Sequence, residues 1–163
     1  FRYLHDTFGG NFRLTEMQSA IGNSQLLYIK ERVKIRQRNA NQYIKNFKNC
    51  KSIIIPVIPK DITHSFYRLY LRFNFKFIQK KWDKNKIINK LNKIGFDSFE
   101  GACSEMYNEK CFRNSKYKVK KRLKNCSELS KSSFALKVDH TISLQTINRQ
   151  CKIAIGFLNT ISK

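Results

Sequence analysis

The sequence is short of acidic residues, of paired cysteines, of histidine and of long apolar runs. Only 11 Asp and Glu stand against 33 Lys and Arg, giving a formal net charge of +22 over 163 residues. No apolar run approaches the roughly 18 residues that a membrane-spanning helix needs, and no basic-then-apolar leader opens the chain. The five cysteines, at 50, 103, 111, 126 and 151, are odd in number and contain no CxxC. They give no disulfide framework and suit reduced thiols in a cytoplasmic protein. None of the three histidines lies near a cysteine pair, so the spacing of a zinc site is missing.

Taken alone, the positive charge points to nucleic acid or an anionic membrane. It is spread along the whole chain, however, and Lys, Asn and Ile are used heavily throughout, as AT-rich codons produce. No RNP-type motif accompanies the aromatics. A substrate bearing a diphosphate, with a phosphate-bearing cofactor, would also tolerate so positive a site. The length is enough for one domain with a real core. The first residue is Phe1 rather than Met, so the chain reads as a piece of a longer protein.

Hydrophobic periodicity gives an order of α, α, β, β, α, β, α, β, α. The stretch Phe1–Phe12 has no period and reads as loop. Thr15, with Gln18 three residues on, forms a capping-box pattern ahead of a helix from about Glu16 to Leu27. Helical spacing resumes through Ile29, Val33, Ala40, Tyr43, Ile44 and Phe47, with Lys30, Arg32, Lys34, Arg36 and Arg38 as a solvated face. Ile53–Ile55 and the two prolines, Pro56 and Pro59, read as a short strand ended by an extended linker. Over His64–Gln79, Tyr67, Leu69, Leu71, Phe73, Phe75 and Phe77 alternate with polar residues, the period of a long half-buried strand. Asp83 caps a helix bearing Ile87, Ile88, Leu91 and Ile94, and Gly95 ends it. A short strand at Phe96–Phe99 should follow. Val119, Leu123, Cys126 and Leu129 share one helical face, Ser132–Val138 reads as a strand, and Ser143 caps a last amphipathic helix. The fold class is α/β (α+β), a small sheet covered by helices on one side. Residues 1–50 would be a loop with interdomain helices, and 51–163 a small domain.

Two stretches carry chemistry. In Phe8–Leu27, two glycines, Asn11 and Arg13 run into a capped helix start. Gly9 and Gly10 can take φ > 0 and let the backbone approach a ligand, and a helix N-terminus favours an anion. The eighteen residues Gly9–Leu26, GGNFRLTEMQSAIGNSQL, resemble the Gly-x-Asn-aromatic-Arg-Met-Thr-Glu-Leu-Gln-Ala-Ala-Ile-Gly-x-x-Gln-Leu motif of the DegT/DnrJ/EryC1/StrS sugar aminotransferases. The second stretch, Gly101–Phe112 (GACSEMYNEKCF), is similar to a Gly-x-Cys-Ser-Glu-Ile-Tyr-x-Glu-Lys-x-Phe segment of one subgroup of that family. His64-Ser65-Phe66-Tyr67 resembles its His-x-Tyr-Tyr strand. Val138-Asp139-His140-Thr141-Ile142 departs from its Val-His-Pro-Thr-Leu, so no role passes to His140.

The resemblance implies the C-terminal part of a fold-type I enzyme dependent on pyridoxal 5'-phosphate. Such enzymes transfer an amine, commonly from glutamate, to a keto group on a nucleotide-linked sugar in polysaccharide, lipopolysaccharide or O-antigen biosynthesis. A sugar dehydratase of the same family is the alternative, and a basic nucleic-acid-binding module the reading outside it. The cofactor-binding (Schiff-base) lysine lies upstream of the glycine loop in the family, so no catalytic residue is assigned and the isolated chain should be inactive. By the same resemblance, Asn11, Arg13 and Gly10 would contact the cofactor phosphate across a homodimer, and His64, Ser104, Glu105 and Tyr107 would face the substrate. No membrane partner is implied.

Overall fold

The computed structural model describes residues 4–163. The loop expected over Phe1–Phe12 is present from Leu4 onward, and its first three residues lie outside the described residues. Thr15 and Gln18 form the expected capping box at the start of α1 (Glu16–Leu26). A break at Leu27–Tyr28 separates it from α2 (Ile29–Phe47). Then follow β1 (Ile53–Ile54), β2 (Leu69–Phe73), α3 (Lys84–Lys93) and β3 (Ser98–Glu100). Two 3-10 turns, Met106–Asn108 and Lys110–Phe112, lead to α4 (Lys124–Ser132), β4 (Ser133–Leu136) and α5 (Leu144–Thr160).

The strands form one sheet in the order β1-β2-β4-β3, and every neighbouring pair is antiparallel. Since β2 and β3 both oppose β4, they are parallel to each other. Helix α3 joins them in a β-α-β crossover with β4 between the strands. This explains the absence of a short hairpin: β2 and β3 are not sheet neighbours, and the successive pairs that are, β1 with β2 and β3 with β4, are joined by a long linker and by a loop with α4.

One face of the sheet makes the core. Leu69 stands opposite Leu136 and Leu71 opposite Phe134, all nearly fully buried. The rings of Phe73 and Phe134 stack 4.2 Å apart. Ala40, Tyr43 and Phe47 of α2, Ile87, Ile88 and Leu91 of α3, and Ile147, Cys151, Ala154 and Leu158 of α5 close over this face. Asp83 and Ser143 cap α3 and α5 through side-chain oxygens that accept from Lys86 N and Thr146 N. Gly95 ends α3 at φ +87°, a conformation glycine adopts without a Cβ penalty.

Beyond shifts of one to two residues at the ends of β3 and β4, the structure departs from the sequence reading in three places. The long strand of 64–79 is only Leu69–Phe73. Before it, Phe66 takes φ +48° and is buried while Tyr67 is exposed; after it, Ile78 is buried and Phe77 is largely exposed. The alternation therefore slips by one residue at each end, where the chain turns off the sheet. Val119 and Leu123 lie outside α4, which begins at Lys124. The third difference is at Gly9 and Gly10, neither of which takes positive φ. The Phe12 ring instead lies against the Gly10 backbone.

Among the described residues, no helix is long and apolar enough to cross a membrane.

Candidate functional site

The glycine loop is an exposed strap held at both ends. At its C-terminal end, Thr15 Oγ1 accepts from Gln18 N at 3.3 Å and Gln18 Oε1 accepts from Thr15 N at 3.0 Å. Ser19 Oγ adds a bond to Thr15 O at 3.0 Å. The two capping-box bonds satisfy amides that a helix start leaves open, and Glu16 sits in the first turn where the dipole favours negative charge. Gly10, Asn11 and Arg13 all precede this cap and are exposed. Among the described residues, neither Asn11 nor Arg13 makes a side-chain hydrogen bond or ion pair. An amide and a guanidinium left open in this way match the oxygens of a phosphate, so the donor set fits the phosphate of pyridoxal 5'-phosphate. Helix α1 buries none of its residues, and Met17, Ile21 and Leu26 are exposed along it.

At its N-terminal end, the strap docks on the second motif stretch, about a hundred residues away in sequence. His5 N donates to Glu109 Oε2 at 3.0 Å, and Cys111 N donates to His5 O at 2.9 Å. Lys110 Nζ lies 3.3 Å from Asp6 Oδ1. The Phe8 ring meets Phe112 edge-on at 5.2 Å and Tyr117 at 6.3 Å. The fold thus brings together the two segments that the sequence singled out.

Within the second segment, Gly101 passes so close to β4 that a Cβ there would stand 2.2 Å from Ser133 Oγ and 3.0 Å from its carbonyl carbon. Ser104 is half-buried and its hydroxyl donates to Ala102 O at 3.3 Å. Glu105 is buried. It accepts from Arg122 Nε at 2.9 Å on Oε1 and from Arg122 NH2 at 3.0 Å on Oε2, a two-pronged pair. The Tyr107 hydroxyl donates to Glu105 Oε1 at 2.8 Å and accepts from Leu123 N at 3.3 Å. The bonds from Arg122 hold the Glu105 carboxyl below its usual range despite burial, with Tyr107 adding to the effect. Burial and the neighbouring carboxylate push the Tyr107 phenol up. Glu105 and Tyr107 therefore brace the loop and the entry to α4 through each other.

His64 lies apart from this cluster. It is exposed, its Nδ1 accepts from Phe66 N at 2.8 Å, and its carbonyl accepts from Gln37 of α2 at 3.0 Å. It borders a mainly apolar depression of about 240 Å³ between Pro56–Ile62 and the start of β2. The turn with the altered Val-Asp-His-Thr segment is fastened by Asn39 of α2, whose Nδ2 donates to Asp139 O at 2.8 Å and Ile142 O at 3.2 Å. His140 in that turn is exposed.

Three residues of the assembly escaped the sequence. His5 stands in an aperiodic stretch. Arg122 is one cation in the run Lys116–Lys124 and nothing local marks it. Glu109 stood within the matched Tyr-x-Glu-Lys-x-Phe pattern, which was the one available signal.

Comparisons with known proteins agree with this architecture. The DegT/DnrJ/EryC1/StrS aminotransferase family matches residues 1–153. An aminotransferase from Psychrobacter cryohalolentis is similar in structure with a TM-score of 0.82 and 28% identity, covering 99% of this chain and 43% of that one. Helicobacter pylori PseC, an aminotransferase involved in the biosynthesis of pseudoaminic acid, gives a TM-score of 0.71 at 21% identity, covering 94% of this chain and 40% of that one. The E. coli GDP-4-keto-6-deoxy-D-mannose-3-dehydratase with bound hydrated PLP shares the fold, with a TM-score of 0.68 at 16% identity, over 90% of this chain and 36% of that one. No curated protein matches. The chain spans less than half the length of these solved structures. It belongs to the DegT/DnrJ/EryC1/StrS aminotransferase family, whose cofactor is pyridoxal 5'-phosphate.

Proposed function

We propose that this chain is the C-terminal part of an aminotransferase that aminates a keto group on a nucleotide-linked sugar, in biosynthesis of a polysaccharide or lipopolysaccharide. The observation that carries the reading is the strap Gly9–Leu14. It presents an amide and a guanidinium without internal partners, and it is fixed on one side to a capped helix and on the other to the Gly101–Phe112 segment.

When bound, pyridoxal 5'-phosphate supplies an electron sink that lets an amine move from donor to acceptor. Asn11 and Arg13 bind its phosphate, and by family resemblance they do so in the active site of a second copy, in a cytoplasmic homodimer. Gly10 keeps the backbone beside them narrow. Ser104 offers a hydroxyl to sugar hydroxyls from the neighbouring loop. Glu105 and Tyr107, engaged with Arg122, hold that loop in place, and His64 borders a separate, outer part of the substrate path. The excess of cationic side chains favours a diphosphate-bearing substrate and an acidic amino donor such as glutamate. Residues 1–50 serve the cofactor side and residues 51–163 the substrate side. The lysine that holds the cofactor comes from the part of the protein preceding the glycine loop.

The test is incubation of the full-length protein with pyridoxal phosphate, 15N-glutamate and a panel of nucleotide-linked 4-keto sugars, followed by mass spectrometry. Amination predicts one 15N gained per sugar and one 2-oxoglutarate released. Loss of water without nitrogen gain would replace this reading with the dehydratase, and salt-dependent retention on DNA with no cofactor binding would replace it with a nucleic-acid-binding protein.

A further inference from the structure

The strap that carries Asn11 and Arg13 has one anchor from the other motif segment that is itself buried. The Glu109 side chain is 7% exposed, whereas that of His5, its partner on the strap, is 71% exposed. The carboxylate is therefore the fixed end of the contact and the strap the held end. Glu109 Oε2 accepts from His5 N at 3.0 Å, and His5 Nδ1 lies 3.1 Å from the same oxygen. Because Cys111 N donates to His5 O at 2.9 Å, both backbone groups of His5 are paired to one short segment. That sets the register of the strap on the 3-10 turns. Three residues later the Phe8 ring seats against Phe112 and Tyr117.

The spacing gives this anchor its reach. Asn11 follows Phe8 by three residues, so its Cα stays within about 11 Å of the Phe8 Cα. Arg13 precedes the Thr15 cap by two residues. Only Gly9–Leu14 remains unanchored, and its two ends are fixed by the Glu109 contact and by the capping box. The other ion pair between the segments, Asp6 with Lys110, joins side chains that are 70% and 44% exposed, and exposed pairs hold little.

We propose that Glu109 is a positioning residue for cofactor binding: by holding His5 it sets the place of Asn11 and Arg13, and it ties that place to the substrate-side segment of which it is part. This rests on the reading of Asn11 and Arg13 as phosphate ligands. It follows that movement of the Gly101–Phe112 segment displaces the phosphate ligands with it.

The test uses the full-length protein with Glu109→Ala, Glu109→Gln and His5→Ala. Hydrogen exchange is measured without cofactor, and pyridoxal phosphate affinity by absorbance titration. Loss of one hydrogen bond to a charged group corresponds to about a tenfold change. Glu109→Ala should therefore speed exchange at the His5 and Cys111 amides, the two that bond across this contact, by about tenfold and weaken pyridoxal phosphate binding by a similar factor. Exchange in β4 should stay unchanged, which a general loss of structure would not permit. Glu109→Gln keeps an acceptor for His5 N and should recover most of both effects. His5→Ala keeps the backbone pair and should remain within about threefold of the parent. Unchanged exchange at His5 and Cys111 in Glu109→Ala, or affinity within twofold of the parent despite faster exchange, overturns the proposal. If Glu109→Ala does not fold, Glu109→Met, which fills the volume but offers no carboxylate acceptor to His5 N, carries the same test. If the parent protein binds no pyridoxal phosphate, the proposed function fails, and the exchange result alone decides whether Glu109 positions the strap.

Discussion

Asn39 offers the most direct check on how the fold holds the turn between β4 and α5. Its side chain is fully buried, and Nδ2 has carbonyl oxygens of Asp139, Ile142 and Val138 at 2.8, 3.2 and 3.5 Å. An amide carries two N–H donors, so two of these three contacts count as full bonds. Oδ1 accepts from Arg38 Nε at 3.3 Å and NH2 at 3.2 Å, which is near solvent and replaceable. Asn39→Ala leaves two carbonyls without their donor. Each unsatisfied buried group costs about 1–3 kcal/mol, with the lower half applying because the turn is only half-buried and water can reach part of it. The sum is about 3 kcal/mol, or a fall in Tm of roughly 6–12 °C for a chain of this size. Asn39→Asp should be no better than Asn39→Ala, because it sets a carboxylate oxygen against carbonyl oxygens in the core. Urea unfolding at constant m, with a thermal scan, measures both. A loss below about 1 kcal/mol for the alanine variant would refute the account of this turn, as would an aspartate variant as stable as the parent.

Other predictions concern the core, the braces and the thiols. Phe134→Ala removes a ring stacked on Phe73 and should cost about 3–5 kcal/mol in the same assay. Gly101→Ala has no room for its Cβ beside Ser133, and should shift the Gly101–Phe112 segment and speed exchange at the Gly101 amide, which donates to Ser133 O. The folded Glu105 carboxyl lies below its ordinary value of 4.5, so its stabilisation is complete above that value and is lost as pH falls through the lower folded value. Glu105→Gln should therefore lower stability at pH 7 and flatten the acid limb below about pH 4, with parallel limbs counting against the pairing. Burial pushes the Cys151 thiol up to about 12, while Cys103 is exposed. At pH 8, a thiol reagent read by mass spectrometry should label Cys103 and spare Cys151 until the protein unfolds.

Much of this was legible from residues near one another in the chain. The capping box at Thr15 and Gln18, the caps at Asp83 and Ser143 and the stop at Gly95 depend on groups within four residues, so their patterns are local. The element order came from periodicity for the same reason. The limits of β2 were not legible, because Phe66 and Ile78 are buried by contacts made where the chain leaves the sheet and not by the strand's own alternation.

The sequence by itself determined the elements, the family resemblance and the identity of the two motif segments, since each is written in short contiguous runs. Only the tertiary structure decided that these segments meet, that Glu109 holds His5, that Glu105 and Tyr107 are engaged with Arg122, and that His64 stands apart. Those contacts join residues up to 104 positions apart. Which of many similar lysines, arginines and glutamates become partners follows from the crossover topology of the sheet, because the sheet sets which loops lie side by side.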